Sequence, residues 1–184
     1  MFSVASDHTL TGIRSGLVAG AKIDYAQFGD RTYYTNGFDI GWIKDGVSNV
    51  WEQGTYIGPE THRVFSEPII GNHLATFSGR ILISEDNVLW WSELYDFGLF
   101  NKAESFVQFH TKITMISPVA EGYFLSTERN TYFVSGVNPK TWQLIHVANY
   151  PAIEWSMAKG YIECSEIGLS NPGLCSVWTS PEGV

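Results

Sequence analysis

Four carboxylates crowd one stretch of this sequence: Glu85, Asp86, Glu93 and Asp96. Glycoside hydrolysis requires two carboxyl groups held at a set separation, one of them kept protonated by its surroundings. Glu93 and Asp96 are the pair that could converge on a strand rim and serve. Local sequence argues for a plainer role. Glu85 and Asp86 fall in a turn, and Glu93 and Asp96 in a solvated loop ahead of Phe97-Gly98-Leu99-Phe100. The expectation is therefore no catalytic residue, with this pair as the competing reading.

Other chemistries find less support. The five histidines, His8, His62, His73, His110 and His146, show no HxH or HExxH spacing, so no metal site is expected unless the fold assembles one. Cys164 and Cys175 lack the paired spacing of a zinc ribbon or a disulfide framework. Two buried free thiols are expected, with a single disulfide left open. No phosphate-binding loop, dinucleotide fingerprint or nucleophile elbow occurs, and no cofactor is expected.

Recognition is the remaining chemistry. The seven Trp are too many for one small core to bury completely, and exposed aromatics suit protein interfaces or sugar stacking. Trp90, Trp91 and Tyr95 are the candidate binding residues. Adjacent residues on a strand point to opposite faces, so Trp90 and Trp91 cannot share one surface. Packing between neighbouring sheets is the plainer role for both.

Composition narrows the partners. The 184 residues are 44% hydrophobic and 16% charged, enough for one domain with its own core. A net charge of −8, with eleven Lys and Arg spread along the chain, offers no patch for nucleic-acid phosphates. No apolar run reaches bilayer-spanning length, and the N-terminal residues lack the pattern of a signal peptide. Neither nucleic acid nor membrane is expected as a partner.

The elements that must position these residues read as strands. Leu74-Ala75-Thr76-Phe77, a Ser78-Gly79 turn, Ile81-Leu82-Ile83-Ser84, an Asp86-Asn87 turn and Val88-Leu89-Trp90-Trp91 form one unit. A second runs from Met115 to Val134, and an earlier one from Ile23 to Trp42 contains Asn36-Gly37, a strong signal for a two-residue type I′ hairpin. Residues 150 to 159 hold the best helical spacing, but Pro151 interrupts it, so strands or one short helical turn are expected there. The first turns of the units fall at Gly29-Asp30, Ser78-Gly79, Glu121-Gly122 and Glu182-Gly183, at steps of 49, 43 and 61 residues. A four-stranded blade takes about 40 to 50 residues.

The expected fold class is thus all-β, antiparallel and β-propeller-like, with about four blades or as a propeller fragment, in one domain over residues 1–184. Leu174 to Thr179 reads as the first strand of a unit whose second strand does not follow, whereas Phe2 to Ser6 and Thr9 to Ile13 read as second and third strands without a first. Either the N-terminal strands complete the C-terminal blade and close a ring, hiding its edges, or the chain is part of a longer repeat protein.

Two family resemblances follow. Ser84-Glu85-Asp86-Asn87-Val88-Leu89-Trp90-Trp91 resembles in part the Asp-box of sialidase-type propellers, but Val88 stands where that pattern has Gly and Trp90 where it has Thr. The Asp-box stabilises a turn and carries no catalysis. The run from Tyr25 to Gly37, the run Arg80-Ile81-Leu82-Ile83-Ser84 leading to Leu89-Trp90-Trp91-Ser92-Glu93, and Val177-Trp178-Thr179-Ser180-Pro181-Glu182-Gly183 resemble the propeller repeats of bacteriophage and prophage tail and neck proteins. That resemblance implies a virion structural component without catalytic residues, found in the virion and in the host cytoplasm during assembly. Its partners would be other virion proteins or further copies of itself. Tail proteins of this kind are usually several times longer. The alternative is a carbohydrate-binding or glycosidase-like propeller, with a glycan as ligand.

Overall fold

The computed structural model describes residues 1–4, 6, 9–59, 63–162 and 173–183. His8, His62 and Cys164, and with Cys164 the question of its pairing with Cys175, lie outside the described residues.

The chain is all-β. A hairpin of β1 (Phe2–Val4) and β2 (Leu10–Gly12) precedes a first four-stranded sheet: β3 (Asp24–Phe28), β4 (Arg31–Thr35), β5 (Ile40–Lys44) and β6 (Val47–Asn49). The second sheet holds β7 (His73–Phe77), β8 (Arg80–Glu85), β9 (Val88–Trp91) and β10 (Phe106–Gln108); the third holds β11 (Ile113–Val119), β12 (Gly122–Thr127), β13 (Thr131–Ser135) and β14 (Gln143–Ala148). β15 (Ala158–Ile162) and β16 (Gly173–Val177) pair last. Each four-stranded sheet is an antiparallel meander with strands side by side in chain order. One turn of 3-10 helix, Pro139–Thr141, is capped by Asn138, whose side chain accepts from Lys140 N–H. Among the described residues no helix is long and apolar enough to cross a membrane.

Turn chemistry sets the hairpins. Between β7 and β8, Ser78 and Gly79 both take positive φ, 47° and 72°, and between β5 and β6 so do Asp45 and Gly46, at 50° and 76°. Two positive φ values in a two-residue loop make a type I′ turn, whose twist matches that of the strands it joins. Asn36-Gly37 differs from the sequence expectation. Gly37 has φ of 83°, but Asn36 is not among the residues with positive φ. The Asn36 side chain instead accepts from Phe38 N–H at 3.0 Å and Asp39 N–H at 2.6 Å. That Asx-type closure spans four residues and replaces the two-residue turn. The turn expected at Glu121-Gly122 lies one residue earlier, because Gly122 is already paired with Val119 in β12. Residues 150–157 contain no helix, and β15 follows them.

The sheets stack face to face through the second one. Its strands alternate: Leu74, Ile81 and Ile83 join a buried cluster with Ala26, Tyr33, Trp51 and Phe100, while Ala75, Phe77, Leu82 and Leu89 join another with Ile113, Ile116, Tyr123 and Leu125. A period of two serves both faces because each has a sheet against it. The first strands of the sheets are neighbours, β3 beside β7 and β7 beside β11, and β16 lies beside β11. At the ends, β1 pairs with β2 and β16 with β15, as separate two-stranded sheets. Among the described residues the ladder expected between the N-terminal strand and residues 174–179 is not formed: β1 is paired with β2 alone and β16 with β15 alone.

Two substitutions test the packing. Leu82 is fully buried between sheets, so Leu82→Ala should cost about 2–5 kcal/mol in denaturant unfolding. The Tyr123 hydroxyl is buried with no hydrogen-bond partner among the described residues, and burial pushes its phenol pKa up. Tyr123→Phe should leave stability unchanged or raise it, because it removes an orphaned polar group.

Candidate functional site

The stretch after β9 carries most of the sequence candidates, and backbone hydrogen bonds fix its path. Tyr95 N–H donates to Gly79 O at 2.7 Å, Glu93 N–H to Leu99 O at 2.9 Å, and Asp96 N–H to Glu93 O at 3.4 Å. Tyr95 takes φ of 56° at the tip. A Cβ on Gly79 would sit 2.7 Å from the Tyr95 ring, so glycine there serves both the turn and the approach of this segment.

This tight turn sends its two carboxylates to different places. Glu93 is gripped by Arg63, through Nη2 to Oε1 and Nη1 to Oε2 at 3.4 Å, and lines a polar cavity of about 320 Å³ with Arg63, Arg80, Glu104, Asn138 and Lys140. Asp96 accepts from Gly98 N–H at 3.3 Å and lines a separate cleft of about 560 Å³ with Arg31, Tyr33, Trp42, Trp51 and Tyr95. Of the other two acids, Glu85 and Asp86 are exposed, Asp86 with φ of 51° in the β8–β9 turn. Glu85 accepts from Trp90 Nε1–H at 3.0 Å.

The aromatic candidates divide likewise. Trp90 lies 5.2 Å from Phe106 and packs against the cluster between the first and second sheets. Trp91 meets Trp142 edge-on at 4.9 Å and packs against the cluster between the second and third sheets. Tyr95 is 70% exposed on the rim of the larger cleft, 6.0 Å from Phe28. In that cleft Arg31 lies 4.3 Å over the Trp42 ring, and Trp51 donates from Nε1 to Phe97 O at 2.9 Å.

Sequence reasoning did not find a second polar cluster, built where the first strands begin. His73, buried at the start of β7, faces Glu154 through Nε2 at 3.2 Å and Asp24 of β3 through Nδ1 at 3.7 Å. Lys112, just before β11, reaches the same Glu154 oxygen at 2.8 Å. Asp24 also accepts from Leu74 N–H at 2.9 Å. Trp155, with φ of 69°, lays its ring 4.7 Å from His73, and Lys22 stands 5.6 Å from that ring on a cation–π contact. Burial pushes the Glu154 carboxyl up, but the Lys112 hydrogen bond and the Lys112 and His73 charges outweigh it and hold it below the usual glutamate value. Burial pushes the Lys159 ammonium down against the pull of Asp24. The only sequence signal was repeat phase, since Asp24, His73 and Lys112 each stand at or beside the start of a first strand. Among the described residues, no group of three or more His, Cys, Asp or Glu could hold a metal ion.

In comparisons with known proteins, the chain matches no family model, no curated protein and no solved structure.

Glu154 joins the third sheet's Lys112 to the second sheet's His73, so its ionisation bears on stability. A carboxyl whose folded pKa is depressed contributes stability above its unfolded value and loses it as pH falls through the folded one. Lys112→Ala should therefore cost up to about 1 kcal/mol at neutral pH and little once the pH lies below the glutamate range. Denaturant midpoints of the two proteins, compared at neutral pH and near pH 3, check this.

Proposed function

We propose that this chain is a non-catalytic structural and interaction module of β-propeller-like construction, a component of a phage or prophage tail or neck. Consecutive meander sheets with adjacent first strands are the arrangement expected of blades. The observation that carries the non-catalytic reading is the separation of Glu93 and Asp96 into different cavities, one of them neutralised by Arg63. Two carboxylates that do not face a common space cannot divide the acid and nucleophile roles at one glycosidic bond. The virion assignment is drawn from the sequence runs that resemble tail and neck repeats.

Interaction is supported by β14. It is six residues long, whereas the edge strands β6 and β10 have three each. It has no charged Lys, Arg, Asp or Glu and exposes Leu144, Ile145 and Val147 at 52%, 48% and 49%. A long, apolar, uncharged edge is a template for strand pairing. The occupant proposed is β14 of a second copy, antiparallel about a two-fold axis, which sets Leu144 opposite Val147 and Ile145 opposite His146. No like charges meet in that pairing, although the whole chain carries −8. Sedimentation velocity over a concentration series should show a monomer–dimer equilibrium, and Ile145→Lys should shift it to monomer without loss of fold. A wild-type chain that stays monomeric at high concentration would sink the self-association.

The larger cleft favours a second reading, glycan binding without cleavage. Exposed Tyr95 offers a ring face, and Asp30, Glu52 and Asp96 offer acceptors for sugar hydroxyls along the same wall. On a glycan array, any reproducible signal should disappear with Tyr95→Ala and persist with Trp90→Phe.

A further inference from the structure

The polar cavity between the second and third sheets contains a cation without a carboxylate of its own. Arg80 opens β8 and is partly buried; among the described residues its one hydrogen bond is from Nη1 to Ser92 O at 2.6 Å. A guanidinium has five N–H donors in a planar fork, so most of its donor capacity is unspent. Glu93, the acid whose charge acts on it, is already held by Arg63 on two oxygens. Withdrawal from water pushes the Arg80 pKa down, with Glu93 opposing the shift and Arg63 adding to it. Burying a cation is costly unless an anion or several acceptors replace its hydration.

Beside this group lies a space of about 320 Å³, lined also by Lys140, Ser105, Asn138 and the Trp91 side chain. Three cations, Arg63, Arg80 and Lys140, face it against two acids, Glu93 and Glu104. Glu104 is exposed on the rim and accepts from Asn101 Nδ2–H at 3.4 Å. Among the described residues the lining therefore holds one more cation than acids. Its volume is near the lower end of small-ligand sites.

We infer that this cavity is a binding site for a small oxyanion, a carboxylate or a phosphate group, received by the Arg80 fork and steadied by Lys140. Planar bidentate pairing with two oxygens is what guanidinium provides and ammonium does not. The oxyanion supplies the charge that Glu93 cannot give twice, and Ser105 adds a hydroxyl donor. The site is distinct from the β14 edge and from the cleft at Tyr95, so it stands or falls by itself.

Calorimetric titration of the full chain with inorganic phosphate and, separately, with glucuronate tests the inference and separates the two oxyanion sources. Saturable binding of at least one probe is expected. Arg80→Lys keeps the charge but loses the fork, and should weaken binding by about tenfold or more. Lys140→Gln, on an exposed turn, should weaken it less and leave the unfolding temperature unchanged. Lys44→Gln, in the surface pair with Asp30 outside this cavity, should bind as wild type. Absence of saturable binding for both probes at millimolar concentration, or equal binding by wild type, Arg80→Lys and Lys140→Gln, would overturn the site.

Discussion

Everything in this structure depends on the second sheet being buried on both faces. β7 and β8 are buried at every position but Thr76, Arg80 and Glu85, and their apolar side chains alternate, one set meeting the first sheet and the other the third. Burial of large aliphatic and aromatic side chains is worth about 1.5–3 kcal/mol each, and the two clusters draw on the same two strands. Loss of either neighbour would strand half of these residues in water. The adjacent tryptophans repeat this logic at the outer end of the sheet, Trp90 serving one cluster and Trp91 the other.

Given that stack, the polar groups have little freedom. The starts of the first strands come together, so Asp24 meets His73, and His73 and Lys112 both meet Glu154. At the β7–β8 turn, Ser78-Gly79 lets the segment with Glu93 and Asp96 fold back on the backbone. The carboxylates are then separated by the wall between two cavities. The apolar layer thus positions both polar regions and decides which acids can act together.

The hairpins were legible in the sequence to within a residue or two. Ser78-Gly79 and Gly29-Asp30 sit where alternating runs placed them, since turn chemistry and period-two alternation are local properties. Asn36-Gly37 was legible as a turn but not as a type, because the Asn36 side chain found backbone donors at Phe38 and Asp39. The His73 cluster was illegible beyond repeat phase: its four ion-pairing members, Asp24, His73, Lys112 and Glu154, are 39 or more residues apart in the chain, and no short-range spacing encodes a meeting made by sheet stacking. The Arg80 cavity was hidden for the same reason, as Lys140 and Asn138 come from the third sheet.

By itself, the sequence determined the all-β class, the meander order of the strands, most turn positions and the opposite orientation of Trp90 and Trp91. These follow from side-chain periodicity and from which residues tolerate positive φ, both settled within a few residues of chain. Tertiary structure alone decided that β16 pairs with β15 and not with the N-terminal strand, that Glu93 belongs to Arg63, and that Arg80 lies beside an open polar space. Such outcomes turn on which surfaces are nearest once the sheets have packed, and on how a fixed set of charges shares its partners when water is withdrawn.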